Sequence, residues 1–248
     1  MTTASEVEIR AWAPDDKDCV APADARLFPV IRTHAHLSQI AANHALMSAD
    51  LLACLRSPWY WLVNHCVTLD EDDKINPYKR FPPLVNLQGL ADLWWWTGTR
   101  WPGLLLPKSR KEMVTWLISL LFFGECQFAQ GKRNMVQSYK LDESQAIIAK
   151  VKGVWERQPP WIRPPCDWTT TEARFGNGSV FVAAPGGAEQ LQGPTLSGYF
   201  WDEVGDHEEA AQTFEAALPA VGSGRFVAVG RCPCSWWHDV LLADKIGA

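Results

Sequence analysis

The sequence predicts an α/β fold: a mainly parallel sheet flanked by helices, preceded by a helical N-terminal lead-in. Three observations predict it. From about residue 84, short apolar runs alternate with helix-length segments, the pattern of strand–helix units that build a parallel sheet. The longest apolar runs, Trp116 to Phe123 and Val180 to Pro185, suit a core helix and a buried strand and are too short to span a bilayer. Of the 248 residues, 47% are hydrophobic, enough for one large core or two modest ones.

Taken in order, residues 1–60 form the lead-in, with a helix from Ala41 to Leu55. Residues 62–83 are polar, carry the acidic run Asp70 to Asp73 and end on Phe81-Pro82-Pro83, which predicts a long loop lying across the domain that follows. A helix over 84–97 precedes a strand from Gly103 to Pro107, and a helix from Met113 to Phe123 precedes a strand from Asn134 to Tyr139. Asp142 is the expected N-cap of the next helix, with Glu143 and Gln145 in its first turn, and Pro159 and Pro160 stop that helix after Arg157. Strands at 169–175, 179–184 and Tyr199 to Trp201, a helix over 207–218 and a strand from Arg225 to Val229 complete the pattern. The expected division is a lead-in 1–60, a core 61–237 and a tail or linker 238–248. Ligands of such sheets bind at the carboxyl ends of the strands.

Composition narrows the function classes. The net charge of -5 carries no general nucleic-acid signature, so a DNA partner would be held by a local patch, a transient loop or a ring. The N-terminus MTTASEVEIR lacks the layout of a signal peptide, and seven cysteines without a disulfide spacing point to a reducing cytoplasm. Fourteen tryptophans are assigned to packing. His34 and His36 lack a third ligand at a usual spacing, Cys232-Pro233-Cys234 is not a CxxC pair, and the acidic run reads as a solvated face.

Two segments carry chemistry. The apolar run Leu196 to Trp201 closes on Asp202-Glu203. A strand ending in adjacent carboxylates can hold Mg2+ through the first and activate a water with the second; the alternative is an ordinary strand–helix junction with solvated acids. The other segment, Pro107 to Trp116, follows a strand and holds Lys108, Ser109, Arg110, Lys111 and Thr115. It offers cations and a helix-start hydroxyl for phosphate and Mg2+. It has no glycine and no lysine directly before the threonine, so by the GxxxxGK[ST] pattern it fails, and alone it reads as a basic turn capping a helix.

KSRKEMVTWL resembles the deviant Walker A segment of terminase large subunits, the DNA-packaging motors of tailed bacteriophages. The resemblance extends, in order, through NHCVTLDEDDKINPYKRFPP, SYKLDESQAIIAKVKGVWERQPPW, PGGAEQLQGPT with YFWDEVGDHEEA, and VAVGRCPCSWW, over roughly residues 60–237. It implies a P-loop NTPase of the RecA-like, additional-strand (ASCE) type that binds ATP and Mg2+. Carried over residue by residue, Lys108 and Arg110 are the phosphate-contacting cations, flanked by Ser109 and Lys111. Thr115 and Asp202 serve the metal, Glu203 activates water, Arg110 also takes a catalytic role, and Lys79, Arg80 and Phe81 lie in the adenine-contacting segment. Implied partners are double-stranded DNA, the portal protein, the small terminase subunit and further copies in a homo-oligomeric ring. The implied setting is the bacterial host cytoplasm and, transiently, the portal vertex of a procapsid, with no membrane. Two departures stand out: Gln192 replaces the arginine usual before Walker B, leaving Arg174, Arg225 and Arg231 as candidates, and Arg231-Cys232-Pro233 replaces an S-T-P motif. No room remains after residue 237 for the family's second, nuclease domain, so a motor domain alone is expected. Two other readings stay open: another P-loop ATPase, or a nucleotide-binding structural module with weak or lost hydrolysis.

Overall fold

The computed structural model describes residues 34–70, 72–97, 103–109, 113–193 and 195–231. The helices are α1 (His34–Ala41), α2 (His44–Arg56), α3 (Pro58–His65), α4 (Val85–Thr97), α5 (Val114–Phe128), α6 (Leu141–Arg157) and α7 (Ala210–Val221). The strands are β1 (Val67–Leu69), β2 (Tyr78–Arg80), β3 (Leu104–Pro107), β4 (Arg133–Gln137), β5 (Cys166–Trp168), β6 (Glu172–Phe175), β7 (Val180–Ala184), β8 (Gly198–Asp202) and β9 (Arg225–Gly230). β1 and β2 form a separate antiparallel hairpin, and the other seven form one sheet in the order β3-β9-β8-β4-β7-β6-β5. β3, β9, β8, β4 and β7 run parallel, while β6 and β5 close one edge antiparallel. The expected mainly parallel sheet is therefore present, with an antiparallel edge.

Strand order positions the site. β9 is inserted between β3, which leads into the basic turn, and β8, which ends on the acid pair. One strand therefore separates the basic turn from the acid pair. Along β8 the side chains alternate. Tyr199 and Trp201 join the core cluster under α7, whereas Phe200 joins the cluster under α5, stacked on Phe122 with ring centroids 6.0 Å apart. The same period sends Asp202 to the α5 side, where the first turn of that helix lies. Gly198 begins β8 because α5 presses on it: a Cβ there would meet the Phe122 ring at 2.5 Å.

Three expectations change. The loop at 62–83 is instead the end of α3 followed by the β1–β2 hairpin. α3 is capped by Ser57, whose hydroxyl accepts from Tyr60 N at 3.0 Å, with Pro58 in the first turn, and all eight of its residues are buried. A helix hydrophobic all round has no amphipathic period to read. The predicted helix 41–55 is interrupted at Asn43, which caps α2 through Ala45 N at 2.9 Å. α6 starts two residues earlier than expected, with Lys140 at the N-cap and Asp142 and Glu143 in its first turn.

Candidate functional site

β3 and β8 end side by side with β9 between them: Pro107 is in register with Gly230, and Asp202 with Val229. Lys108 continues the ladder by donating its backbone N–H to the Gly230 carbonyl at 3.0 Å, and its side chain reaches over β9. Its Nζ lies 2.5 Å from Thr115 Oγ1, 3.4 Å from Asp202 Oδ1 and 3.2 Å from Glu203 Oε1. Thr115 Oγ1 in turn donates to Asp202 Oδ1 at 3.0 Å. A turn, a helix start and a strand end thus meet on one ammonium group.

The backbone is bent to allow this. Among the described residues the only non-glycine positions with positive φ are Met113 at 61° and Glu203 at 53°. One precedes α5 and the other follows Asp202. Such conformations cost on the order of 1–3 kcal/mol each and concentrate at functional sites. Glu203 opens a tight turn over residues 204–206 that folds across the end of β9. Gly230 permits this, since a Cβ there would meet Val204 N at 3.0 Å and Gly205 N at 3.1 Å. Behind β8, the Trp201 indole donates to His207 Nε2 at 3.0 Å, and burial holds the imidazole below its ordinary pKa, which suits an acceptor nitrogen.

The two carboxylates differ. Burial pushes the Asp202 carboxyl up, and Glu203 adds to this, while Lys108 and the Thr115 hydroxyl oppose it. Glu203 Oε2 is buried and accepts no hydrogen bond among the described residues; Arg231 Nε lies 4.0 Å from it.

These donors fit a hard cation. Thr115 and Asp202 present two oxygens to one point, and a cationic nitrogen already lies against both. Among the described residues no group of three or more His, Cys, Asp or Glu could hold a metal. Mg2+ needs no such cage, because it takes one or two protein oxygens and completes its shell with water and phosphate. At α5, Met113 provides no side-chain cap, and an uncapped helix start suits an anion.

Other expected residues lie elsewhere. Arg110 and Lys111 fall outside the described residues, and Ser109 is exposed beside Lys108. Phe81 is a core residue at 1% exposure, edge-on to Trp59 at 6.2 Å, so its ring face is not open to a base. Lys79 pairs with Asp73, and Arg80 is exposed. Arg225 is buried at the start of β9, the sheet end opposite Asp202, 3.6 Å from Glu125 and with its guanidinium 4.1 Å over the Trp94 ring. Arg174 faces the first residue of β7 and pairs with Glu172 at 2.5 Å. Of the three arginine candidates, Arg231 alone is beside the acid pair, 3.1 Å from Asp206, a partner the sequence reading did not identify. Gln192 is exposed after a short turn over residues 188–191.

The fold and this site define a P-loop-type α/β architecture with an inserted strand between the basic turn and the acid pair. The HK97 bacteriophage large terminase has a similar structure, with a TM-score of 0.57 at 12% identity over 75% of this chain and 40% of that one. The chain therefore has a fold found in a phage large terminase, and it spans 40% of that protein's length. The large terminase ATPase domain of Thermus phage P74-26 matches with a TM-score of 0.44 at 15% identity, over 55% of this chain and 62% of that one. The large terminase of a thermophilic bacteriophage in complex with ADP matches at 0.42 and 15%, over 53% and 34%. No protein-family model and no curated protein matches the sequence. Among the described residues no helix is long and apolar enough to cross a membrane.

Proposed function

We propose that this chain is the motor domain of a terminase large subunit, hydrolysing ATP to drive double-stranded viral DNA into a procapsid. One observation carries the hydrolytic half: Lys108, Thr115, Asp202 and Glu203 converge at the carboxyl ends of β3 and β8 within 3.4 Å of one ammonium. The shared fold with a phage large terminase supports the packaging half.

In this reading the first turn of α5 and Lys108 hold the phosphates, with Arg110 as a second cation. Thr115 and Asp202 would hold Mg2+, which when bound would supply charge neutralisation for the phosphate oxygens. Glu203 orients and deprotonates the attacking water. Its strained φ points the carboxylate past Asp202 rather than into the sheet. Lys108 lies against both acids, and in this reading it turns to the phosphate when nucleotide binds. The core at 61–237 would work with double-stranded DNA, the portal protein and the small terminase subunit, in a ring of copies on the procapsid in the host cytoplasm.

A second reading, a nucleotide-binding module with weak or lost hydrolysis, is favoured by the missing Walker A glycine and by Gln192. Phosphate release decides between them. Wild type is expected to turn over ATP with Mg2+, and Glu203→Ala to lose at least about 100-fold in kcat. Equal release by both proteins would overturn the catalytic assignment.

A further inference from the structure

We infer that Arg231 is a positioning residue for the Glu203 carboxylate and acts within its own subunit. This rests on the reading of Glu203 as the base. Arg231 follows Gly230, so it leaves the sheet beside the acid strand and at the same end. Glu203 Oε1 is held by Lys108 at 3.2 Å. Its other oxygen, Oε2, is buried without a hydrogen bond among the described residues, and Arg231 Nε lies 4.0 Å away. The far edge of the same guanidinium is engaged, with Arg231 Nη2 3.1 Å from Asp206 Oδ2. Asp206 belongs to the turn that Glu203 opens, and its N–H donates to the Glu203 carbonyl at 2.9 Å.

The result is a line of alternating charge: Asp206, Arg231, Glu203, Lys108, Asp202. When Lys108 moves to phosphate, Arg231 is the cation that stays with Glu203, and closing the 4.0 Å gap gives Oε2 its missing donor. Oε1 is then free to take the proton of water. The planar guanidinium suits this task, because its separate edges serve two carboxylates at once, which a single ammonium does not. Service in a neighbouring subunit would require the guanidinium to leave both acids. A base must first be held in reach of its proton, and a misplacement of about 1 Å costs up to ~100-fold in rate.

The test measures kcat and KM for ATP in wild type, Arg231→Ala, Arg231→Lys, Asp206→Asn and Glu203→Gln, and then in mixtures. Arg231→Ala is expected to lose about 100-fold in kcat with KM within about twofold. Arg231→Lys should fall between it and wild type. Asp206→Asn, which removes the charge that holds the guanidinium, should share the direction of the kcat defect and covers the case that Arg231→Ala does not fold. Mixing Arg231→Ala with Glu203→Gln should give no more than the sum of the separate rates, because one lacks the positioning group and the other the base. Restored turnover on mixing, a defect confined to KM, or wild-type kcat in Arg231→Ala would overturn the inference. Its failure is distinguishable from failure of the parent reading. Wild type without turnover, or Glu203→Gln as fast as wild type, sinks the hydrolytic assignment itself. An active wild type, an inactive Glu203→Gln and an unaffected Arg231→Ala sink this inference alone.

Discussion

At the end of β8, two neighbouring carboxylates occupy different surroundings. Asp202 is 6% exposed and lies between Thr115 and Lys108, while Glu203, bent out by its positive φ, faces Lys108 and Arg231. Thr115 is the hinge of this arrangement, since it accepts from Lys108 and donates to Asp202. Thr115→Val keeps the shape and removes both bonds. It is expected to lower Mg2+-dependent nucleotide affinity about tenfold, the ~1.4 kcal/mol of one charge-assisted contact, with Thr115→Ser close to wild type. Titration with and without Mg2+ reads this out, and an unchanged Kd for Thr115→Val would remove the metal role. The pairing of the acid pair with Thr115 was legible only through the resemblance, since alone one segment reads as an ordinary strand–helix junction and the other as a basic turn. Lys108 was legible only as one of several cations, since a string of basic residues does not say which one crosses β9. The burial of Phe81 was not legible, because it depends on Trp59, distant in the chain.

Elements explain why the site is held. α5 lies on the sheet through Phe122 and Phe200, and this fixes the first turn of α5 over Asp202. The N-terminal helices are fastened separately. Asp50 of α2, 2% exposed, accepts from Tyr60 of α3 at 2.5 Å and from the Trp161 indole at 2.9 Å, and pairs with His65 at 3.1 Å. Asp50→Asn is expected to lower unfolding free energy by roughly 3 kcal/mol, because it weakens the charge-assisted hydrogen bonds that the buried carboxylate accepts from Tyr60 and Trp161, with nucleotide affinity unchanged. Urea titration measures it. Burial pushes the Asp50 carboxyl up, but His65, Tyr60 and Trp161 outweigh this and hold it below its ordinary 3.8. A depressed carboxyl stabilises above its unfolded value, and that stability is lost as pH falls through the folded one. The difference between wild type and variant should therefore be full at neutral pH and shrink below about pH 3.8. A pH-independent difference would contradict the assignment. Strand–helix alternation made most elements readable, whereas α3 was hidden because burial on every side erases periodicity.

For the whole molecule, the α/β class followed from alternation, but strand order did not. Nothing local in β9 says that it enters between β3 and β8; that is decided by long-range pairing. The net charge of -5 leaves DNA contact to a local surface or to the assembled ring. If the turn after β3 and the acid pair after β8 form one nucleotide site, the structure of the protein with Mg2+ and a non-hydrolysable ATP analogue will show both on the same phosphates. The expected result is the terminal phosphate at the first turn of α5, Lys108 turned from Asp202 to that phosphate, and Mg2+ between Thr115 and Asp202. A nucleotide bound elsewhere, or Lys108 still between Thr115 and the acid pair with phosphate absent, would contradict it.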